Sequence, residues 1–317
     1  MSGYELRGGR HGDVAAVANV LAHLGIHGPD EQPVSEALVF VASGGIGAGY
    51  VLRDFAREAG SALALGFRSR HEQPQEWLAS IVDRLGLEAG VHTTGSKRAA
   101  AKRFSAELAE GPVLVQLGGG GGHFVVAYGE EDGRVLLDDR NLAPLTVERR
   151  AFDVARDGVG AHKNLLVAIR PGKVGELPAA VRGGLADCAR RLAGSLPAWE
   201  RWAKAMTDGR SAKGWPRVFA ERRGLVGALL TVWEGVAAGE HLRGLFADGL
   251  GEASDLLELP TLAEQATAWR AIGRQWDKLA EAALPSTRVW PRRRRPVRSC
   301  RGCARTTTRR SRSPPNR

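Results

Sequence analysis

His123 and the acidic pair Asp138-Asp139 are the first residues of this chain to suggest a reaction. His123 opens the apolar run HFVVAY, and the two carboxylates close the next run, RVLLDD. The runs are joined through Gly129-Glu-Glu-Asp-Gly133, whose Asp132-Gly133 is a hairpin signal. A carboxylate beside an imidazole fixes its tautomer and stabilises its protonated form, which makes a general base. A two-residue turn puts even-numbered residues of the second strand on the His123 face and selects Asp138, whereas a bulge or an odd loop selects Asp139. The competing reading is a purely structural hydrogen bond.

Arg10-His11-Gly12-Asp13 precedes the first helical pattern. A helix N-terminus activates a thiol placed there. This one carries no Cys, Ser or Thr: Gly12 has no side chain, and Asp13 reads as an N-cap. His11, His23 and His27 suggest metal ligands, but Gly25 ends the helix between the last two, so no metal is expected. Cys300-Arg-Gly-Cys303 is a single CxxC without a second ligand pair. The cluster Ser43–Gly49 resembles a dinucleotide turn, with Arg68 and Arg70 placed for a 2′-phosphate, yet Tyr50 or Ser43 breaks the glycine fingerprint in either frame. No cofactor is expected, and the cluster reads more simply as a tight loop.

Apolar periodicity predicts helices over 13–25, 50–59, 74–85, 96–110 and 147–156, and strands over 61–67, 113–117, 123–128, 134–137 and 165–169. The stretch 34–41 is ambiguous. From 177 to 284 the pattern is helical, with breaks at Gly194, Pro197, Gly209, Gly239 and Pro260 and final helices over 242–257 and 262–283. Six Trp in this stretch point to a packed bundle core. The expected organisation is α+β: a first domain over 1–172, an all-α domain over 173–284, and a disordered Arg-rich tail over 285–317.

That tail explains the charge. The 317 residues carry 45 Lys+Arg against 35 Asp+Glu, a net of +10, which hints at nucleic acid. Residues 285–317 hold 12 Arg and no acid, and the remainder has a net charge of −2. No basic domain remains, so no specific nucleic-acid partner is expected. No run of 18 apolar residues suggests a membrane span, and the N-terminus has no signal-peptide h-region. Three Cys, two of them in the tail, suit a reducing cytoplasm. Heavy Arg and Ala use suggests a GC-rich bacterial source.

Five stretches, in this order, resemble the N-terminal domain family of butirosin biosynthesis protein H: RHGDVAAVANVLAHLG (10–25), SEALVFVASGGIGAGY (35–50), 111–116, GHFVVAYG (122–129) and VLLDDR (135–140). HLRGLFADGLGEA (241–253) and WRAIGRQWDKL (269–279) resemble the helical domain of unknown function that usually follows it. The resemblance implies a papain-like first domain. It implies transfer of an aminoacyl group from a carrier-protein thioester to an amine of an aminoglycoside precursor, as in antibiotic biosynthesis. It places His123 at the family His and Asp139 at the family Asp, with Asp138 as second candidate. The family has His-Cys at the helix start, the Cys being the nucleophile; here His11 is followed by Gly12. Cys188 lies in the other predicted domain, and the run Gly118–Gly122 is a bare version of the family loop. Two functions follow with equal weight. One is an acyltransferase in which His123 activates the amine directly. The other is a non-catalytic relative that binds a carrier protein, a peptide or another chain. A nucleotide-binding α/β protein is the third reading.

Overall fold

The computed structural model describes residues 3–55, 58–67, 74–117, 123–159, 163–172, 175–220, 226–230, 232–233 and 240–284. Arg68, Arg70, the run Gly118–Gly122, Gly239, Cys300, Cys303 and the whole predicted tail lie outside these residues. Met1–Leu284 form one compact unit.

The central strands VLVQL, HFVVA and LVAIR are apolar at nearly every position, which requires a sheet covered on both faces. That is the architecture. Strands β3 (Glu88–His92), β4 (Val113–Leu117), β5 (His123–Glu131), β6 (Arg134–Asp138), β7 (Leu145–Glu148) and β8 (Leu166–Arg170) form an antiparallel sheet in the order β3-β8-β4-β5-β6-β7. Leu114, Phe124, Val126 and Val167 point into one core, shared with α1 (Gly12–His23), α2 (Glu36–Ala42) and α3 (Pro74–Arg84). Val113, Val115, Val125 and Ala127 point into the other, closed by Phe104 of α4 (Lys97–Glu110) and Phe152 of α5 (Arg149–Asp157). The fold is mixed α+β, as expected.

Ser96 caps α4 through Ala99 N–H. Helix α1 ends as its sequence dictates: Gly25 takes φ +71°, and Ile26 N–H donates to Leu21 O, closing a Schellman turn. Its start differs from expectation. His11 is the N-cap, without a side-chain cap bond, and Asp13 sits one position inside the helix, where it serves β5 instead.

The ambiguous stretch 34–41 resolves as helix α2, capped by Ser35 Oγ accepting from Leu38 N–H. Ala37 to Ala42 are all buried. The predicted helix over 50–59 is corrected. Strands β1 (Ile46–Phe55) and β2 (Glu58–Phe67) pair as an antiparallel hairpin over their full length. Tyr50, Val51, Leu52 and Phe55 satisfy either period, and pairing decides. The glycine cluster therefore follows a helix and leads into a hairpin; no βαβ unit forms there, which removes the framework of the nucleotide reading. It is a tight loop, with Gly44 and Gly45 at φ +97° and +61°. A Cβ on Gly45 would stand 2.6 Å from the Phe246 ring and 3.1 Å from Cys188 Sγ.

The C-terminal part is helical: α6 (Leu177–Thr207), α7 (Trp215–Val218), α8 (Glu240–Leu257) and α9 (Thr261–Ala283). The predicted breaks at Gly194 and Pro197 do not occur. Helix α6 runs through both, held by buried Cys188 before them and Trp202 after them, an instance of packing overriding propensity. Trp199, Trp202 and Trp276 meet with ring centroids 5.4–6.0 Å apart, the packed core expected of them. Trp233 departs from that expectation at 37% exposed.

Helices α6 and α8 lie directly on α2. A Cβ on Gly184 would be 2.1 Å from Val41 O, and one on Gly249 would be 2.4 Å from Ala37 O. Only glycine permits such backbone approaches. Residues of both predicted domains accordingly share one core, in which Leu38, Phe40, Val181 and Leu245 are all below 2% exposed.

Candidate functional site

The N-terminus of α1 is held against the end of the sheet by two carboxylates. Glu36, in the first turn of α2, accepts from Arg10 N–H at 2.9 Å and His11 N–H at 2.7 Å. Asp13 accepts from Phe124 N–H at 2.7 Å, stitching the first turn of α1 to the start of β5. Burial pushes the Asp13 carboxyl upward, against that bond and the nearby His123 and Arg140. These contacts bring position 12 and His123 together.

Gly12 is buried at the first position of α1, and a Cβ built there would lie 2.8 Å from His123 Cδ2. The imidazole thus occupies the space beside the backbone where a side chain at position 12 would begin. The adjacent ring atom, His123 Nε2, lies 2.9 Å from Asp139 Oδ1. The same oxygen accepts from Arg140 Nε at 3.2 Å, and Asp139 N–H donates to Asn141 Oδ1 at 2.6 Å.

The choice between the two aspartates is made by a bulge. The turn has the expected two residues, with Asp132 and Gly133 at φ +49° and +71°, the signature of a type I′ turn. Near the turn Glu131 pairs with Arg134 and Gly129 with Leu136. The register then shifts between Ala127 and Gly129, so that Ala127 pairs with Leu137 and Val126 with Asp138. One extra residue, Tyr128, inverts the parity and puts Asp139 on the His123 side. Asp138 faces away, 1% exposed, and accepts from Tyr4 Oη and Asn19 Nδ2 at 2.8 Å each and from Arg140 N–H at 3.0 Å. The Tyr4 ring stacks on Tyr128 with centroids 4.6 Å apart. Bulge, Tyr4 and Asp138 therefore form one unit that fixes the register. Burial and the Asp138 carboxylate raise the Tyr4 phenol far above its usual value, so it stays a donor.

Sequence reasoning did not find Tyr4, Asn19, Glu36, Arg140 or Asn141. Asn19 alone left a signal, as the polar residue inside the apolar face of α1.

His11 stands beside this group. Burial first, then Arg140 and His123, lowers its pKa from 6.5 to about 4. Its folded value lies below its unfolded value, so the unfolded chain binds the extra proton as pH falls from 6.5 toward 4. The associated stability is complete above 6.5 and lost through that window, on the order of 3 kcal/mol. Urea unfolding at pH 7 and pH 4.5 should show a drop in midpoint that is smaller in His11→Gln.

Among the described residues no group of three His, Cys, Asp or Glu is placed to hold a metal. His23 packs its ring against Tyr4 at 5.6 Å, and His27 lies in an isolated bridge with Pro33. Cys188 is buried in α6, with Sγ 3.5 Å from Ile46 O. No helix among these residues is long and apolar enough to cross a membrane.

Helix start, strand histidine and following aspartate form a constellation that can be compared with known families. Residues 11–140 match the family model of butirosin biosynthesis protein H, N-terminal. That stretch of the chain is similar to the family's N-terminal domain. The match begins at His11 and ends at Arg140, so it spans Gly12, His123 and Asp139. None of the curated proteins matches the chain. The matched region thus contains His123 and Asp139, while position 12 carries no side chain.

Proposed function

We propose that the matched region of this chain catalyses acyl transfer in secondary metabolism without a covalent acyl-enzyme. The observation that carries this reading is the 2.9 Å contact of His123 with Asp139 at the N-terminus of α1. A thioester is already activated, so a bound amine can attack it directly. His123 takes the amine proton as the C–N bond forms, and Asp139 stabilises the imidazolium. The oxygen of the tetrahedral intermediate meets the first-turn N–H groups of α1, at the positive end of its dipole. Collapse breaks the C–S bond, and the leaving thiolate takes the proton back from His123. The family resemblance supplies the donor class, an aminoacyl group on an acyl carrier protein. It also supplies the acceptor, an amine of an aminoglycoside-type precursor, and a papain-like ancestry for the domain.

One observation favours a second reading, a silent relative that binds a carrier, a peptide or another chain: the His123 ring sits in the space a nucleophile at position 12 would need. The two separate in a product assay with acylated carrier proteins and amine acceptors. Wild type is expected to form amide. Gly12→Cys must push His123 away from a 2.8 Å approach, and its rate is expected to fall about tenfold as the base is displaced. Product from Gly12→Cys but none from wild type would overturn the direct route.

A further inference from the structure

A cavity of about 380 Å³ opens between α8 and α9, apart from the His123–Asp139 pair. Four arginines line it: Arg10 from the segment before α1, Arg243 from α8, and Arg270 and Arg274 from α9. Asp277 also lines it, and Asp248 beside it bridges Arg10 at 2.6 Å and Arg270 at 3.0 Å. Arg243 is only 2% exposed, with Nη2 3.5 Å from Asp277 Oδ1.

The helices are also cut away at this point. Gly244 and Gly273 line the cavity from the interiors of α8 and α9, and a Cβ on either meets nothing within 4 Å. Packing therefore does not require them, unlike Gly184 and Gly249, and each costs its helix about 0.5–1 kcal/mol relative to Ala. What they do is leave the space open. Trp269 adds an aromatic wall, its ring held edge-on to Phe246 at 5.0 Å.

We propose that this cavity binds the phosphate ester of an organic molecule. Guanidinium forks match phosphate oxygens in pairs, and an indole beside them suits the organic part. Arg10 is two residues from Gly12, within about 8 Å along the chain, so a ligand held here reaches toward the α1 N-terminus. Two sources carry such a phosphate, a free metabolite and the prosthetic arm of a carrier protein; only the latter rests on the acyl-transfer reading.

Calorimetric titration of the full chain at low salt tests this with inorganic phosphate, coenzyme A and pantetheine. Phosphate and coenzyme A are expected to bind, coenzyme A more tightly, and pantetheine not at all. Carrier proteins with and without the phosphopantetheine arm form a further pair, whose difference distinguishes the two sources. Arg270→Gln and Arg274→Gln should each weaken binding about tenfold. Gly273→Leu fills the cavity without removing charge; it should abolish binding while Tm holds or rises, which separates loss of the site from loss of the fold. No phosphate binding by folded wild type overturns the proposal, as does binding unaffected by Arg274→Gln and Gly273→Leu. Phosphate binding without coenzyme A binding overturns the organic-ester assignment. Binding with no amide formation would refute the proposed reaction and leave this site standing.

Discussion

His123→Ala is expected to lower amide formation by about 10²- to 10⁴-fold, the range a positioned general base supplies. An amine attacking a thioester must lose a proton, and His123 is the group placed for it, between Gly12 and Asp139. The variant should fold normally, because the side chain is 39% exposed and makes its bond at the rim of the site. Asp139→Asn should give a smaller loss: an amide still reaches Nε2, but it no longer stabilises the imidazolium. Asp138→Asn should act differently again, lowering Tm rather than rate, since Asp138 holds Tyr4 and Asn19 and not the base. Equal rate losses from Asp138→Asn and Asp139→Asn at unchanged Tm would mean that the assignment of the base's partner is wrong.

The largest effect on stability is expected at Gly184 and Gly249. A valine at either drives Cβ to within 2.1–2.4 Å of a carbonyl oxygen of α2. The obstruction is backbone inside a buried helix, so it cannot turn aside as a flexible side chain would. Overpacking costs about 1–3 kcal/mol and occasionally more, and an obstruction made of backbone puts these variants at the upper end. Because α2 also carries Glu36, which holds Arg10 and His11, the damage should reach the site. Urea unfolding followed by Trp fluorescence and by far-UV circular dichroism should show one transition, shifted to lower urea in both variants. The controls are Gly244→Ala and Gly273→Ala, where nothing lies within 4 Å; these should be neutral or slightly stabilising. Two separate transitions, with only one moved, would show that the sheet and the helical part do not share a core.

The hairpin of the site is legible in the sequence because two short apolar runs flank an Asp-Gly turn. What was not legible is which aspartate faces His123. That depends on the extra residue at Tyr128, which in turn depends on a ring contributed by Tyr4, more than a hundred residues earlier. Local pattern cannot carry such a contact; the resemblance did, by the order of its motif. Strand β3, with its exposed Glu88 and Ala89, was missed because pairing with β8 rather than burial defines it. Strand β7 was missed for the same reason, its register set by β6. The hairpin of β1 and β2 was misread because its apolar residues fit a helix equally well. Gly194 and Pro197 predict breaks, yet α6 continues through both because Cys188 and Trp202 bury it on either side.

Direct transfer proceeds without an enzyme-bound acyl group. The decisive measurement is the intact mass of the wild-type protein during turnover with an acylated carrier and an amine, taken alongside product formation. Amide is expected to accumulate while the protein mass stays unchanged at every time point. An acyl adduct on the wild-type chain, or no amide from wild type while Gly12→Cys becomes acylated, would contradict direct transfer.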